Sequence, residues 1–463
     1  LGDKLDLPWG GPWIVTGHQP ELFHPGVWIK SMATVELARA MGGTPIHVLI
    51  DNDTLKSSAI RVPAGGPEQF VVGHVPFDQW DREIPFEERR VVDEAIFRDF
   101  AERVRVTMSK LPFRPLVSAY WEEVLRASRK TPIVGERLAA GRRAIERAWG
   151  WGQTEVPLGR LCDTESFAAL WVEIARRAIE FRDIYNDLLA RYRRRYKVRS
   201  KNHPASDLAL EGDRCELPFW VWNSDQPERV PLWVTADTGQ LWAGSTPLPR
   251  LLPSHSPADA IRTLVPWKIR PRALITTLFL RGLVADWFIH GIGGGKYDEV
   301  TDDLLVGFLG WPSPPGMAVL SGTLFLPGPV SVDLPHEIAQ TRSRVRDTYW
   351  NPERYLGDHL RERDPLAGWI EEKQTLQHSP EAAEKNWSRE DWRHFRQLND
   401  RIRPYVEASR QESDRQVAIL LEQERSHRAL HSRDYAFCLH PEETLLPFLK
   451  QVSLGDGLVT PTG

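Results

Sequence analysis

Residues 13–53 decide the fold: WIVTG (13–17), HQPELFHPG (18–26), VWIKSMATVELARAM (27–41), then PIHVLI (45–50) and DND (51–53). The first run is short and apolar, as a strand is. Helix formers fill 27–41, and Gly42-Gly43 supplies a carboxy-terminal stop. The second apolar run is almost continuous, the pattern of a strand buried on both faces of a parallel sheet. Two such strands joined by one helix form a right-handed crossover unit. Between the first strand and the helix, the loop holds His18, Gln19 and His24 among turn-forming prolines and glycines. A loop that polar at a strand end is either a tight connection or part of a binding site.

Working outward, residues 81–200 turn helical and charged. In the run 164–192, Phe167, Leu170, Trp171, Ile174, Ala178, Phe181, Leu188 and Tyr192 recur in steps of three and four and predict one apolar helical stripe. Residues 201–259 carry short aromatic runs (LPFWVW, PLWVTA, QLWAG) split by prolines and glycines, as in a small β-rich insertion. The pattern KIRPRALITTLFLRGLVADWFIHGIGGGKYDE (268–299) predicts a helix, the strand DWFIH, a glycine-rich loop and a further helix. MAVLSGTLFLP (317–327) is another strand candidate. After 335 the pattern is helical; Ser388 with Asp391 makes a capping box, and Pro404 separates two helices that would form an antiparallel or bent pair. The expected organisation is an α/β, Rossmann-like parallel-sheet core (1–80 and 260–335), a helical insertion (81–200), a β-rich insertion (201–259) and a carboxy-terminal helical region (336–463).

Composition narrows the function classes. The chain has 463 residues, 41% hydrophobic and 26% charged, with a formal charge of −4. That balance gives no global attraction to nucleic acid or to anionic lipid. No apolar stretch reaches the length of a membrane span, and LGDKLDLPWG at the start is not a signal peptide. The chain opens on Leu1 rather than methionine, so upstream sequence is expected. Three widely spaced cysteines suit a reducing cytoplasm, the expected location. Nineteen tryptophans are expected mainly in the core, with stacking on a ligand as the lesser use.

If WIVTG, PIHVLI and DWFIH are parallel neighbours, their carboxyl ends share the edge where α/β sheets bind ligands. All three end in polar or glycine-rich sequence, which points to a site there. Its candidate catalytic residues are His18, Asp51 and Asp53. Its candidate binding residues are Gly17, Gln19, His24, Gly26, Asn52, Arg270, Gly293, Gly294 and Lys296. The helix start and the glycine-rich segment favour an anion, which Arg270 and Arg272 could also reach, and the carboxylates a metal, an amine or base catalysis. No protein-built metal site is expected. GIGGGKY is neither a phosphate-binding P-loop, since His290 and Tyr297 stand at required positions, nor a dinucleotide fingerprint, since Lys296 replaces the last glycine. MSK (108–110) lies in the helical insertion, out of order for a synthetase loop, and the basic run 190–201 suits a helix terminus.

HPGV (24–27) resembles the HxGH segment of nucleotidyltransferases and class I synthetases, with Val27 in place of the last histidine. More of the chain resembles the cysteine-adding enzymes of bacillithiol biosynthesis. TGHQPELFHPG matches their TGQQPGLFTGP-like opening, Asp51-Asn52-Asp53 their DHD-like motif, and IRPRA followed by HGIGGGKYDE their arginine-proline segment and later glycine loop. The resemblance implies a Rossmann-like core with helical insertions and a coiled-coil segment near the carboxyl end. It implies a ligase that joins the cysteine carboxyl to the amine of a glucosaminyl malate with nucleotide involvement. ATP or ADP and Mg²⁺ are then candidate cofactors, and small molecules the expected partners, without nucleic acid or membrane. A homodimer through the carboxy-terminal helices is a further candidate. By the same resemblance Gly17, His18, Gln19, Asp51 and Asp53 would lie in the core pocket with Arg270, Gly293 and Gly294 near. His18 or Asp51 would handle the amine, and Arg270 and Lys296 the developing phosphate charge. His18, Asn52 and the segment GGGKYDE depart from the family pattern inside that pocket, so the substrate is expected to differ. The alternatives are a nucleotidyltransferase that releases pyrophosphate and a non-catalytic nucleotide- or sugar-binding scaffold.

Overall fold

The computed structural model describes residues 10–66, 69–328, 333–383 and 386–451. The stretch examined for a leader, up to residue 9, and the end of the expected helical region, 452–463, lie outside the described residues. In chain order the strands are β1 (Trp13–His18), β2 (Thr44–Leu49), β3 (Ala59–Gly66), β4 (Gln69–Pro76), β5 (Thr154–Pro157), β6 (Leu210–Glu211), β7 (Arg214–Asn223), β8 (Gln226–Thr235), β9 (Gln240–Ala243), β10 (Thr246–Arg250), β11 (Lys268–Pro271), β12 (Trp287–Gly291) and β13 (Met317–Leu320). The chain divides into two compact units. One takes residues up to Val62, Gly73–Pro327 and those from Arg433 onward; the other takes Pro63–Val72 and Gly328–Ser432.

The first unit is built on a five-stranded parallel sheet, ordered β13-β12-β1-β2-β5. β1 runs down its middle, paired along its full length with β2 and over Ile14–Thr16 with β12. The three strands expected to be neighbours are neighbours, and the core is α/β and Rossmann-like. Alternation along β1 divides the core between two faces. Ile14 packs with Ala33 and Ala38 of the helix Pro25–Met41 and with Ile289. Trp13 and Val15, with Ile46 and Val48, point the other way into a large cluster shared with helices Glu165–Arg176 and Ala178–Arg195. Each fully buried aliphatic or aromatic side chain there contributes about 1.5–3 kcal/mol. Gly42 closes the first helix with φ 62°, a left-handed conformation that costs glycine little.

Packed on the same large cluster is an antiparallel sheet, β10-β9-β8-β7-β11, with β6 on β7. The aromatic runs of the sequence form β7, β8 and β9. KIRP, read as part of a helix, is instead β11, with Arg270 opposite Trp220 of β7. The expected single helix over 164–192 is two, broken at Arg177 (φ −111°, ψ 36°). The glycine-rich loop after β12 is one helical turn, Ile292–Gly295. β13 ends at Leu320, short of the predicted run. β3, β4 and β5 are strands the periodicity did not predict.

The second unit is mainly helical. Glu407–Leu430 packs on Leu334–Trp350 through Leu334, Ile338 and Leu420. The capping box at Arg389–Ile402 forms as expected, with Asp391 N donating to Ser388 Oγ at 3.1 Å and Ser388 N to Asp391 Oδ2 at 2.8 Å. Pro404 lies in a 3₁₀ turn between the two last long helices. Among the described residues no helix is long and apolar enough to cross a membrane, and the three cysteines are buried thiols.

Candidate functional site

From β1 the chain leaves toward β2, and from β12 it leaves toward β13 on the other side. The sheet therefore has a topological switch point between β1 and β12, and a crevice opens beyond the carboxyl ends of its strands. A cavity of about 710 Å³ lies there. Gly17 and His18 at the end of β1, Gln19 just after it, Asn52 and Asp53 after β2, and Gly293 and Gly294 after β12 all line it, with His24 and Gly26 from the cap and first turn of the first helix. Nine residues picked out by sequence thus share one cavity. Of its lining side chains, Lys30, Arg229, Arg272 and Arg433 are cationic, and Asp53 is the one carboxylate.

Lys30 sits at the switch point. It is buried, and its Nζ donates to the Gly17 carbonyl at 2.9 Å. Among the described residues no carboxylate pairs with it. Burial lowers its pKa to about 8, because an ammonium loses hydration that a single carbonyl does not replace. Four histidines feel that charge, His18, His24, His47 and His290. Burial, reinforced by Lys30, holds His18 down to about 3 and His290 down to about 4. Both rings are neutral at pH 7. His18 Nδ1 donates to the Gln19 carbonyl at 3.2 Å, so its Nε2 is an acceptor. His24 caps the helix: Gly26 N donates to its Nδ1 at 3.1 Å, which leaves its Nε2 carrying the proton.

Asp53 is held from three directions. Gln19 Nε2 donates to its Oδ2 at 2.9 Å, Thr54 N to its Oδ1 at 2.8 Å, and Arg229 Nη1 lies 3.3 Å from Oδ1. Arg229 also donates to the Asn52 carbonyl at 2.9 Å and lies over the Trp220 ring at 5.1 Å. Arg272, 4.2 Å from the centre of the same ring, pairs with Glu216 at 2.7 Å. Two buried polar atoms on this wall have no partner, the Arg272 Nε–H and Asn52 Oδ1. Asn52 uses its amide hydrogens on the Pro271 carbonyl at 2.8 Å. Both atoms are buried within the wall and not on the cavity surface.

The other three predicted residues lie outside the lining. Asp51 turns away, accepting from Gly159 N at 2.9 Å. Burial, then the neighbouring Glu87 carboxylate, raises its pKa to about 7. Arg270 is buried and binds Glu87 at 3.0 Å and Asp163 at 3.0 Å; Lys268 reaches Glu87 at 3.0 Å. These groups form an ion network behind the end of β2. Lys296 is exposed beyond the glycine turn. The decoy at Met108 is the cap of helix Glu94–Thr107. In the basic run, Arg193 donates to the Lys201 and His203 carbonyls at 2.7 and 3.1 Å, fastening the loop whose Asn202 and Ser206 line the cavity.

Gly26 shows how tightly the first loop is packed. A Cβ there would lie 2.0 Å from the Gly322 carbonyl oxygen, a backbone atom. Gly26→Ala is therefore expected to cost about 1–3 kcal/mol and to displace the start of the helix, read as a lower urea midpoint together with weaker ligand binding. An unchanged midpoint would contradict this packing.

The cationic wall fits phosphate or carboxylate groups. Among the described residues no three His, Cys, Asp or Glu side chains cluster to hold a metal ion. Mg²⁺, which commonly binds through one or two carboxylates and ligand phosphates, would have Asp53. Sequence reasoning missed Lys30, Trp220, Arg229, His290 and Arg433, whereas Arg272, expected near an anion, does line the cavity. Lys30 alone left a signal, as the single charge between Val27 and Val35 in a helix otherwise uncharged there. Comparison with models of known protein families and with curated protein sequences gives no match to this chain.

Proposed function

We propose that the crevice is the active site of a carbon–nitrogen ligase that joins the carboxyl of a small acid to the amine of a small polar metabolite. The cysteine-adding enzymes of bacillithiol biosynthesis are the model for this reading, with an amino acid and an amino-sugar derivative as the two substrates. The observation that carries it is the pairing, in one cavity, of a single oriented carboxylate with several cations. Asp53, fixed by Gln19 and Arg229, suits an incoming ammonium. Lys30 and Arg272 suit the acid and the negative charge that develops on oxygen as the carbonyl is attacked. His18, neutral with Nε2 free to accept, suits the orientation of the amine. Its weak basicity makes it a poor proton acceptor at pH 7. Asp51 and Arg270 act at a distance in this reading, by holding the end of β2. Arg272, Arg433 and the first turn of helix Pro25–Met41 would hold nucleotide phosphates, with Asp53 toward Mg²⁺. When bound, the nucleotide supplies the activating phosphoryl or adenylyl group.

The test is product analysis by mass spectrometry with ATP, Mg²⁺ and a panel of amino acids and amino-sugar derivatives that includes cysteine and glucosaminyl malate. The expected product is an amide with the combined mass of the two substrates less one water. Asp53→Asn is expected to lower kcat/KM by about 100-fold or more, with little change in the thermal midpoint. Undiminished turnover in Asp53→Asn would contradict the assignment. Pyrophosphate release without an amide would indicate nucleotidyl transfer, and binding without turnover over a panel of acids and amines would indicate a scaffold.

A further inference from the structure

Lys30 is unusual for a lysine beside an anion site. It lies on an interior stretch of helix, not at a helix end, and is 5% exposed. Its one hydrogen bond, to the Gly17 carbonyl, leaves two N–H groups, or after deprotonation a lone pair, for the cavity. Its terminal carbons and nitrogen lie against Gly291, where a Cβ would be 3.7–3.9 Å from them. The amine is thus held between the ends of β1 and β12, at the floor of the crevice. Among the described residues no carboxylate pairs with it, and the four histidines that feel its charge cannot serve as counter-ions. Arg229 and Arg272 line the same cavity.

We propose that Lys30 is a covalent site for small oxo acids, its Nζ forming an iminium bond with their carbonyl carbon while the arginines hold the carboxylate. The neutral amine attacks the carbonyl carbon and a C–N bond forms as the C=O π pair moves to oxygen. The proton lost by nitrogen passes to that oxygen and gives a carbinolamine. A second proton, from solvent, converts the hydroxyl to water, which departs as the nitrogen lone pair forms C=N. One amine, one carbonyl and one proton become one iminium cation and one water, with no change of oxidation state. Burial favours the first step: with a pKa of about 8, Lys30 holds on the order of 100-fold more neutral amine at pH 7 than an exposed lysine. The proposal rests on the cavity's binding an acid, and it goes beyond the ligase reading in giving Lys30 a bond-forming role.

The test uses the full chain, 2-oxoglutarate as the probe and sodium borohydride to reduce any iminium to a stable secondary amine, followed by peptide mapping. The expected result is one borohydride-dependent adduct on the peptide containing Lys30, at least about tenfold above any other lysine. Glutarate, which has the same carboxylates and no oxo group, should suppress it. Lys30→Arg, which keeps the charge, should lose the adduct; if that variant fails to fold, the wild-type map decides by itself. Thermal stabilisation by both acids without an adduct on Lys30 would overturn the proposal and leave an anion site. Stabilisation by neither acid would remove the acid-binding reading on which the ligase proposal stands.

Discussion

Replacing Lys30 by methionine is expected to stabilise the ligand-free protein while abolishing its binding of anions. The folded state lowers the lysine pKa from 10.5 to about 8, an electrostatic cost on the order of 3 kcal/mol at pH 7. Methionine has similar length and no charge. It forfeits the hydrogen bond to the Gly17 carbonyl, about 1 kcal/mol, so a net gain of about 2 kcal/mol is expected. The sign follows from proton counting. Between about 8 and 10.5 the folded protein binds fewer protons at this site than the unfolded chain, so wild-type stability rises with pH across that window. Lys30→Met lacks that rise. Urea unfolding at pH 7 should favour the variant, and the gap should close by about pH 10.5. A destabilised variant at pH 7 would mean that Lys30 is a structural element and not a group held at a cost for function.

Arg270→Ala is expected to do the reverse, with a loss of about 3–5 kcal/mol. Arg270 is 3% exposed and binds the nearly buried Glu87; removing it breaks a buried pair and leaves Glu87 with Lys268 as its remaining cation. Asp51 beside it adds to the cost. Its folded pKa of about 7 lies above the usual 3.8, so the folded protein binds more protons there and loses stability as pH rises from about 4 to 7. Without Arg270 that slope should steepen. Adding Glu87→Gln to Arg270→Ala should recover part of the loss, since the two sites share one network. Urea midpoints of the two single variants and the double variant at pH 5 and pH 7 check both statements. A variant as stable as wild type that only loses ligand affinity would return Arg270 to the binding role first expected of it.

The sequence was most legible where period and punctuation agree. WIVTG, the helix that ends at Gly42 and PIHVLI form β1, its crossover helix and β2, and DWFIH joins them as β12. Shorter elements left too little pattern. β5 offers only Val156 to the core, and the break at Arg177 falls inside an unbroken apolar stripe. The site was half legible. Gln19 and Asp53 meet across 34 residues because β1 and β2 pair in parallel. Spacing alone did not separate Asp51 from Asp53, since the turn after β2 sends one carboxylate to Gly159 and the other to the cavity. Trp220, Arg229 and Arg272 come from an antiparallel sheet and its margin, and only the tertiary fold brings them to the switch point. Lys30 was hidden as a helix residue, although a lone charge in a mostly apolar helical stretch is a group that must be buried.

The most direct test of the central claim, a site for small anions at the switch point, is calorimetric titration of ATP and of malate. Wild type, Lys30→Met and Arg272→Gln would be compared at low and moderate salt. Saturable binding by wild type is predicted, weakened at least tenfold in each variant, about 1.4 kcal/mol, with the variants' folded spectra unchanged. Equal affinity in all three proteins, or no binding of either anion by wild type, would contradict it.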